Sequence, residues 1–162
     1  MSMPGFNLQP LLEGKLVRLR PLLAADFESL FAVSSDPLVW EQHPERTRYQ
    51  RDVFQGFFQG AMESKGALLA FDSISGEVIG TSRFTGLDVP NARIEVGYTF
   101  LARRCWGKGY NTELKKLMLG HAFQYVNEVY FYIGENNVRS RRAIEKIGAQ
   151  FIERLERQPK EG

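Results

Sequence analysis

The stretch Arg104-Cys105-Trp106-Gly107-Lys108-Gly109-Tyr110 lies between a segment with strand character and a segment with the apolar spacing of a helix. Two glycines two positions apart let the backbone turn tightly and approach a ligand without a Cβ atom in the way. The helix that follows starts with unpaired N–H groups and the positive end of its dipole. These features predict an anion site suited to a pyrophosphate, with Lys108 as a further cation. The alternative is a tight turn that only starts the helix, and this fragment alone does not decide between the two.

Two common phosphate motifs are excluded by the residues around this stretch. A Walker loop requires glycine at 102 and serine or threonine at 109, where the chain has Ala102 and Gly109. A dinucleotide fingerprint requires a third glycine at 112, where Thr112 stands. The anion site therefore belongs to another class of ligand.

Outward from this stretch, the apolar spacing predicts the order strand, two helices, three strands, helix, strand, helix and strand. The predicted strands are 15–20, 67–71, 77–84, 93–101, 129–133 and 151–155. The turn at 75–76 joins a hairpin, so the early strands are expected to be antiparallel, and the later ones, joined through helices, parallel. The order predicts an α/β domain with a mixed sheet and helices packed on it.

The side-chain pattern gives further detail for these elements. One helix opens at Asp26, a second covers 53–61, a third covers 114–125, and a fourth begins at Asn137 and is capped by Gly148. The strand 129–133 is of the buried type. In the strand 93–101, strict alternation predicts two faces, one with Ile94, Val96 and Tyr98 and the other with Glu95, Gly97 and Thr99.

The composition is that of a globular protein and excludes several functions. The chain has 162 residues, 43% of them apolar and 25% charged, with a formal net charge of +2. This predicts one domain over 1–162, with 1–12 as a loose lead-in. The sequence lacks the dense run of basic residues that a nucleic-acid-binding protein needs, so nucleic acid is not expected as a partner. The N-terminus lacks the features of a signal peptide and no apolar run reaches membrane-spanning length, which favours a cytoplasmic protein without a membrane partner.

A second motif, Asn137-Val138-Arg139-Ser140 followed by Glu145-Lys146-Ile147-Gly148, extends the signal. Together with the stretch at 104–110, it resembles the GNAT superfamily of N-acetyltransferases, and within it the ribosomal-protein alanine N-acetyltransferase branch. The segments 12–21, 94–98 and 106–113 are in the same style. The similarity runs in order from residue 12 to about residue 155.

The resemblance implies a GNAT-like fold: a central mixed, mostly antiparallel sheet that splays between the strands 93–101 and 128–134, with about four helices. The splayed edge offers main-chain groups to the pantetheine arm of acetyl-CoA, the co-substrate, while the diphosphate lies on the amides of 107–110. The residues that the resemblance assigns to acetyl-CoA are Phe100, Leu101, Arg104, Cys105, Trp106, Gly107, Lys108, Gly109, Tyr110, Thr112, Asn137 and Ser140.

An amine acceptor must lose a proton before it attacks, and the departing thiolate benefits from a hydrogen-bond donor. Glu95 is the candidate base, and its alternative role is a structural carboxylate paired with Arg83 or Arg93. Ser140 is the candidate donor to the sulfur, with helix capping as its alternative. An N–H of the splayed strand is suited to the oxyanion at the thioester carbon.

Four other polar residues carry weaker arguments. Asn137 either binds the acyl-pantetheine amides or caps its helix. Cys105 is expected to be passive, because direct attack needs no acyl-enzyme and no histidine is placed to activate the thiol. His43 and His121 have no partner cluster, so no metal is expected.

The predicted function is transfer of an acetyl group to a primary amine of a protein N-terminus or small molecule through a ternary complex. Relatives carry a further strand after the last one predicted here, which walls the acceptor site and makes dimer contacts, so a homodimer stays open. Either that strand is absent or the sequence is incomplete; its absence would favour the alternative, a CoA-binding or interaction module with this fold and no turnover. A third reading, a nucleotide-phosphate enzyme, predicts ATP or GTP binding without competition from CoA. The acceptor itself cannot be read from the fold class.

Overall fold

The computed structural model describes residues 5–150, in which six strands form one sheet. Neighbouring strands in the sheet are also neighbours in the chain, in the order β1 to β6. Each pair is antiparallel except the last, which is parallel. The strands are β1 (Leu12–Glu13), β2 (Val17–Pro21), β3 (Ala67–Asp72), β4 (Val78–Asp88), β5 (Arg93–Leu101) and β6 (Glu128–Tyr130). The predicted mixed, mostly antiparallel sheet is confirmed, and the short β1 is an addition that the sequence did not predict.

Four α-helices accompany the sheet in this part of the chain. They are α1 (Phe27–Ser34), α2 (Arg51–Ser64), α3 (Tyr110–Ala122) and α4 (Val138–Lys146). A short 3₁₀ turn ends at Asp26, and α1 begins at the next residue. The Asp26 carboxylate stabilises this turn, because it binds Arg20 at 2.8 Å and accepts the N–H of Leu23 at 2.8 Å. The predicted strand 151–155 lies outside the described residues.

Apolar side chains form two cores, one on each face of the sheet. On one face, Leu114, Met118 and Ala122 of α3 are fully buried against β2 to β5. On the other, the aromatic residues Phe54 and Phe57 of α2 pack against β3 and β5. Burying one such side chain contributes roughly 1.5–3 kcal/mol, so α2 and α3 are held in place mainly by these faces.

A bulge in β5 corrects the predicted alternation of its side chains. Thr81 pairs with Phe100 and Arg83 pairs with Gly97. Between these two pairs β5 therefore contains one residue more than β4. Tyr98 has a φ of 55°, and its ring packs toward α2 rather than beside Ile94 and Val96. Strict alternation was wrong here, because an extra residue exchanges the two faces of a strand.

The last strand is shorter and more exposed than predicted. β6 covers three residues, none of them buried, and it pairs with β5 only at Arg93, Ile94 and Glu95. The prediction of a buried strand over 129–133 was therefore wrong in both length and burial. From Val96 onward β5 no longer pairs with β6, and we call this side of β5, from Val96 to Leu101, the diverging edge.

The lead-in predicted to be loose is packed over its described part. The ring of Phe6 stacks on Tyr125 with centroids 4.6 Å apart, and the His121 imidazole lies 2.7 Å from the carbonyl of Asn7. These contacts attach the N-terminal segment to the end of α3. The packing of this segment was not predictable from the sequence, because a single ring stack and a hydrogen bond to a main-chain carbonyl leave no periodic pattern.

Candidate active site

The glycine loop, defined as residues 106–109, turns the chain from β5 into α3. Gly107 and Gly109 have φ values of 70° and 91°, a conformation that costs other residues about 1–2 kcal/mol. Gly107, Lys108 and Gly109 are exposed. Gly109 is the N-cap of α3 and, within residues 5–150, no side chain caps its first N–H groups. The loop thus presents main-chain donors and a helix dipole to solvent, as an anion site requires.

Asn111, in the first turn of α3, carries a polar atom that lacks a partner among the described residues. Its Oδ1 is buried and accepts no hydrogen bond there. An unsatisfied buried acceptor costs about 1–3 kcal/mol, so it marks a position where a further donor is missing. It lies two residues after Gly109, at the same end of α3 as the anion site.

The start of α3 is fixed by a carboxylate rather than by a cap. Glu113 accepts the main-chain N–H groups of Lys15, Leu16 and Val17 at 3.1, 2.7 and 2.7 Å. These bonds join the first turn of α3 to the turn before β2. The start of α3, next to the predicted anion site, is therefore held against the sheet by these three hydrogen bonds.

Several side chains predicted to bind the cofactor have other partners. Cys105, Phe100 and Leu101 are 1%, 6% and 5% exposed and belong to the two cores, and burial raises the pKa of the Cys105 thiol. These three can contribute only main-chain atoms. That these three residues bind acetyl-CoA stays a prediction, and it concerns their main chain.

The polar side chains of the same set are also engaged. The Trp106 indole N–H donates to the carbonyl of Leu101 at 3.0 Å, and the Tyr110 hydroxyl donates to Asp72 at 3.0 Å. Arg104 forms an ion pair with Asp72 at 3.4 Å. Lys108 and Thr112 make no hydrogen bond or ion pair within residues 5–150, and they remain available beside the glycines.

Glu95 lies in β5 at the point where the diverging edge begins. It is 9% exposed, and Arg83 on the neighbouring strand is 5% exposed. Burial lowers the pKa of Arg83 to about 10, and the negative charge of Glu95 opposes part of this shift. The Arg83 guanidinium lies 3.7 Å from the centroid of the Tyr98 ring. Arg93, the other arginine considered for Glu95, instead binds Asp88 at 3.2 Å. Glu95 is therefore a buried carboxylate close to a buried cation.

Asn137 caps α4, and Ser140 occupies the third position of that helix. The Asn137 Oδ1 accepts the N–H of Ser140 at 3.4 Å, and Asn137 is 5% exposed. Capping is thus performed by Asn137, and the Ser140 hydroxyl makes no hydrogen bond within the described residues. Gly148, with a φ of 95°, ends the helix as predicted.

Three residues of this region were missed at the sequence level. Arg139 stacks on Trp106, Glu113 fixes the start of α3, and Lys115 is buried beneath β5. Only Lys115 has a signal in the sequence: it stands three and seven positions before Met118 and Ala122, on the helix stripe that packs on the sheet. Arg139 and Glu113 depend on contacts with residues that are distant in the sequence: Arg139 lies 33 positions after Trp106, and Glu113 lies 97 positions after Leu16.

The sequence profile of the acetyltransferase (GNAT) domain matches residues 17–150. The chain belongs to this family. The resemblance predicted from the motifs is confirmed, and the sheet that diverges beside the glycine loop is the GNAT fold.

Solved structures and a curated relative agree with this assignment. A GCN5-related N-acetyltransferase from Brucella melitensis matches with a TM-score of 0.74 and 26% identity, over 86% of this chain and 67% of that one. A putative ribosomal-protein-serine acetyltransferase from Vibrio cholerae matches with a TM-score of 0.65 over 91% of this chain and 84% of that one; at 14% identity it shows the fold alone. An uncharacterized N-acetyltransferase p20 of Bacillus licheniformis is 41% identical over 51 residues, which are 32% of this chain and 28% of that protein.

No helix in the range 5–150 is long and apolar enough to cross a membrane. The same range contains no group of three or more His, Cys, Asp or Glu residues that could hold a metal ion.

Proposed function

We propose that the protein is an acyl-CoA-dependent N-acetyltransferase that moves an acetyl group from acetyl-CoA to a primary amine by direct attack in a ternary complex. Family membership supports this, and one structural observation carries it. The diverging edge of β5 and the uncapped start of α3 lie at the two ends of the same short connection. A diphosphate and an amide-bearing arm need these two kinds of surface side by side.

Acetyl-CoA supplies the activated acetyl thioester, and the chain supplies its binding groups. The N–H groups from Gly107 to Tyr110 bind the diphosphate, with Lys108 and the Thr112 hydroxyl beside them. The main chain of the diverging edge binds the amides of the pantetheine arm, and Asn137 holds the start of α4 against that arm.

Glu95 accepts the proton that the acceptor ammonium must lose before it attacks. Its position supports this role, because Glu95 is the last residue of β5 that pairs with β6 and the diverging edge begins at the next residue. A positioned general base contributes about 10²–10⁴-fold to the rate. The positive charge of Arg83 interacts favourably with the negative charge of this carboxylate in the buried site.

Ser140 donates its hydroxyl to the departing sulfur. The hydroxyl is in the first turn of α4 and makes no other hydrogen bond within residues 5–150, so it is available for this role. The proposed acceptor is a primary amine of a protein N-terminus or a small molecule. A cytoplasmic location and a homodimer are compatible with this proposal.

Calorimetry with acetyl-CoA and an assay of CoA release against a panel of amines test the proposal together. We expect acetyl-CoA to bind, ATP and GTP not to compete, and CoA release to depend on an amine. Binding without amine-dependent release across protein N-termini, polyamines and amino acids would show a CoA-binding module instead. No heat from acetyl-CoA with folded protein, or binding of ATP or GTP that CoA does not displace, would refute the proposal at the binding step.

A further inference from the structure

Lys115 is a charged residue in the core beneath β5, and its contacts are short and few. It is 4% exposed in α3, between the fully buried Leu114 and Met118. Its Nζ donates to Thr99 Oγ1 at 2.6 Å, and Thr99 Oγ1 lies 2.7 Å from Ser82 Oγ. Burial lowers the pKa of Lys115 to about 7. The lysine therefore joins α3 to β5 and β4 through two hydroxyls.

Stability does not explain a lysine at this position. Within residues 5–150 no carboxylate forms an ion pair with Lys115, and burial is what shifts its pKa. An unbranched apolar residue such as methionine fills a similar volume without the desolvation of an ammonium. A residue that lowers stability and holds a defined hydrogen bond is a candidate for a role in function.

The hydrogen bond ends at the β5 bulge, beside the proposed acyl site. Thr99 follows Tyr98, whose φ of 55° marks the bulge, and Phe100 and Gly97 are the residues that resume pairing with β4. Thr99 points toward α3 while Tyr98 points toward α2. The bond to Lys115 thus fixes which way the peptide units around Thr99 are turned on the diverging edge.

We propose that Lys115 is a positioning residue for acetyl transfer: through Thr99 it holds the β5 bulge so that main-chain N–H groups of the diverging edge face the thioester. This inference rests on the proposed function. The bulge lies on the part of β5 that no longer pairs with β6. On the face of the sheet covered by α3, the hydrogen bond from Lys115 to Thr99 therefore supports it. Loss of the bond leaves the glycine loop intact, since that loop is fixed separately through Glu113.

The predicted effect is a loss of turnover that exceeds any loss of cofactor binding. A misplaced donor at the reacting centre lowers kcat by about 10-fold or more, whereas the diphosphate site is untouched. The pantetheine arm loses only its contacts next to the bulge, so the KM for acetyl-CoA is expected to rise by less than kcat falls. Because methionine removes a buried ammonium, Lys115→Met is expected to fold and to melt no lower than the wild type.

Four variants test this inference. Lys115→Met removes the donor and Thr99→Val removes the acceptor, while Thr99→Ser keeps the hydroxyl and Lys116→Met is the matched control on the exposed neighbour. We expect kcat to fall in the first two and to stay within about twofold in the other two. The inference is overturned if Lys115→Met keeps its kcat, or if its kcat loss comes with an equal loss of acetyl-CoA affinity and a lower melting temperature.

Failure of the proposed function is distinguishable from failure of this inference. If the wild type binds acetyl-CoA but transfers it to no amine, the proposed function fails. The backbone amide signals of Gly97 and Thr99 with CoA bound then decide the inference in an NMR spectrum. Shifts of these amides in Lys115→Met but not in Lys116→Met support positioning of the bulge, and unchanged amides overturn it.

Discussion

The guanidinium of Arg139 lies 3.5 Å from the centroid of the Trp106 ring, so the first turn of α4 is joined directly to the glycine loop. Its Nη2 also donates to the carbonyl of Val39 at 3.2 Å, and its main-chain N–H donates to Gln42. One side chain thereby connects the segment before α2, the glycine loop and α4. The two motifs that define the family in this sequence are held in register by this contact.

Replacing Arg139 with alanine is expected to loosen both motifs. A cation–aromatic contact of this kind contributes about 0.5–2 kcal/mol, so the free energy of unfolding falls by about that amount. Acetyl-CoA affinity falls severalfold, because α4 and the glycine loop are no longer fixed relative to each other. Urea unfolding and calorimetry measure the two effects, and Arg142→Ala, at an exposed site on the same helix, is the control. Unchanged affinity in Arg139→Ala would contradict the proposed coupling.

Gly107→Ala is expected to separate backbone strain from ligand binding. Gly107 and Gly76 have similar φ values of 70° and 77°, and an added Cβ meets no heavy atom within 4 Å at either site. Both alanine variants should lose about 1–2 kcal/mol of stability. Only Gly107→Ala should also lose acetyl-CoA affinity, since Gly76 lies in the turn between β3 and β4. Equal affinities of the two variants would argue against the glycine loop as the diphosphate site.

Glu95→Gln tests the proposed base. Removal of the carboxylate should lower kcat by about 10²-fold or more, with acetyl-CoA affinity changed by less than about threefold. Glu63→Gln, on the exposed face of α2, serves as the control for an uncharged substitution. A kcat within twofold of the wild type would leave Glu95 a structural partner of Arg83.

The sequence predicted the order and type of most elements because their patterns are local. The stripe of α2, the hairpin around Gly76 and the cap of α4 each depend on neighbouring residues, and each was found where predicted. The face of Tyr98 was not predictable, since a bulge is set by pairing with another strand. The short length of β6 was not predictable either, because it depends on how far β6 pairs with β5.

The candidate site was predictable only in part. The glycines and the helix start follow from backbone chemistry, which the sequence states directly. The hydrogen bond of Tyr110 and the ion pair of Arg104 with Asp72 were not predictable, because Asp72 is more than thirty positions away in the sequence. Whether Glu95 and Ser140 act as proposed stays a prediction.

Lys115 gives the stability of the protein a particular pH dependence. Its pKa falls from 10.5 to about 7 on folding, so between these values the unfolded chain binds a proton that the folded chain lacks. The free energy of unfolding therefore rises as pH rises through this window, and it gains nothing more above pH 10.5. Relative to the wild type, Lys115→Met should be more stable by on the order of 3–5 kcal/mol at pH 7, with the difference shrinking toward high pH. Urea unfolding of both proteins at several pH values measures it, and a constant difference would contradict the buried, shifted lysine.

Glu113 has a consequence for how the protein acquires activity. Its carboxylate holds the N–H of Leu16, 97 positions earlier in the chain. Contacts so distant in sequence form late, because local hairpins and helices close their shorter loops first. The end of α3 that is proposed to bind the diphosphate is therefore expected to form only after the N-terminal segment has packed against it. Affinity for the thioester donor should thus lag behind the return of helical signal during refolding, and it reports the last step of maturation rather than the first.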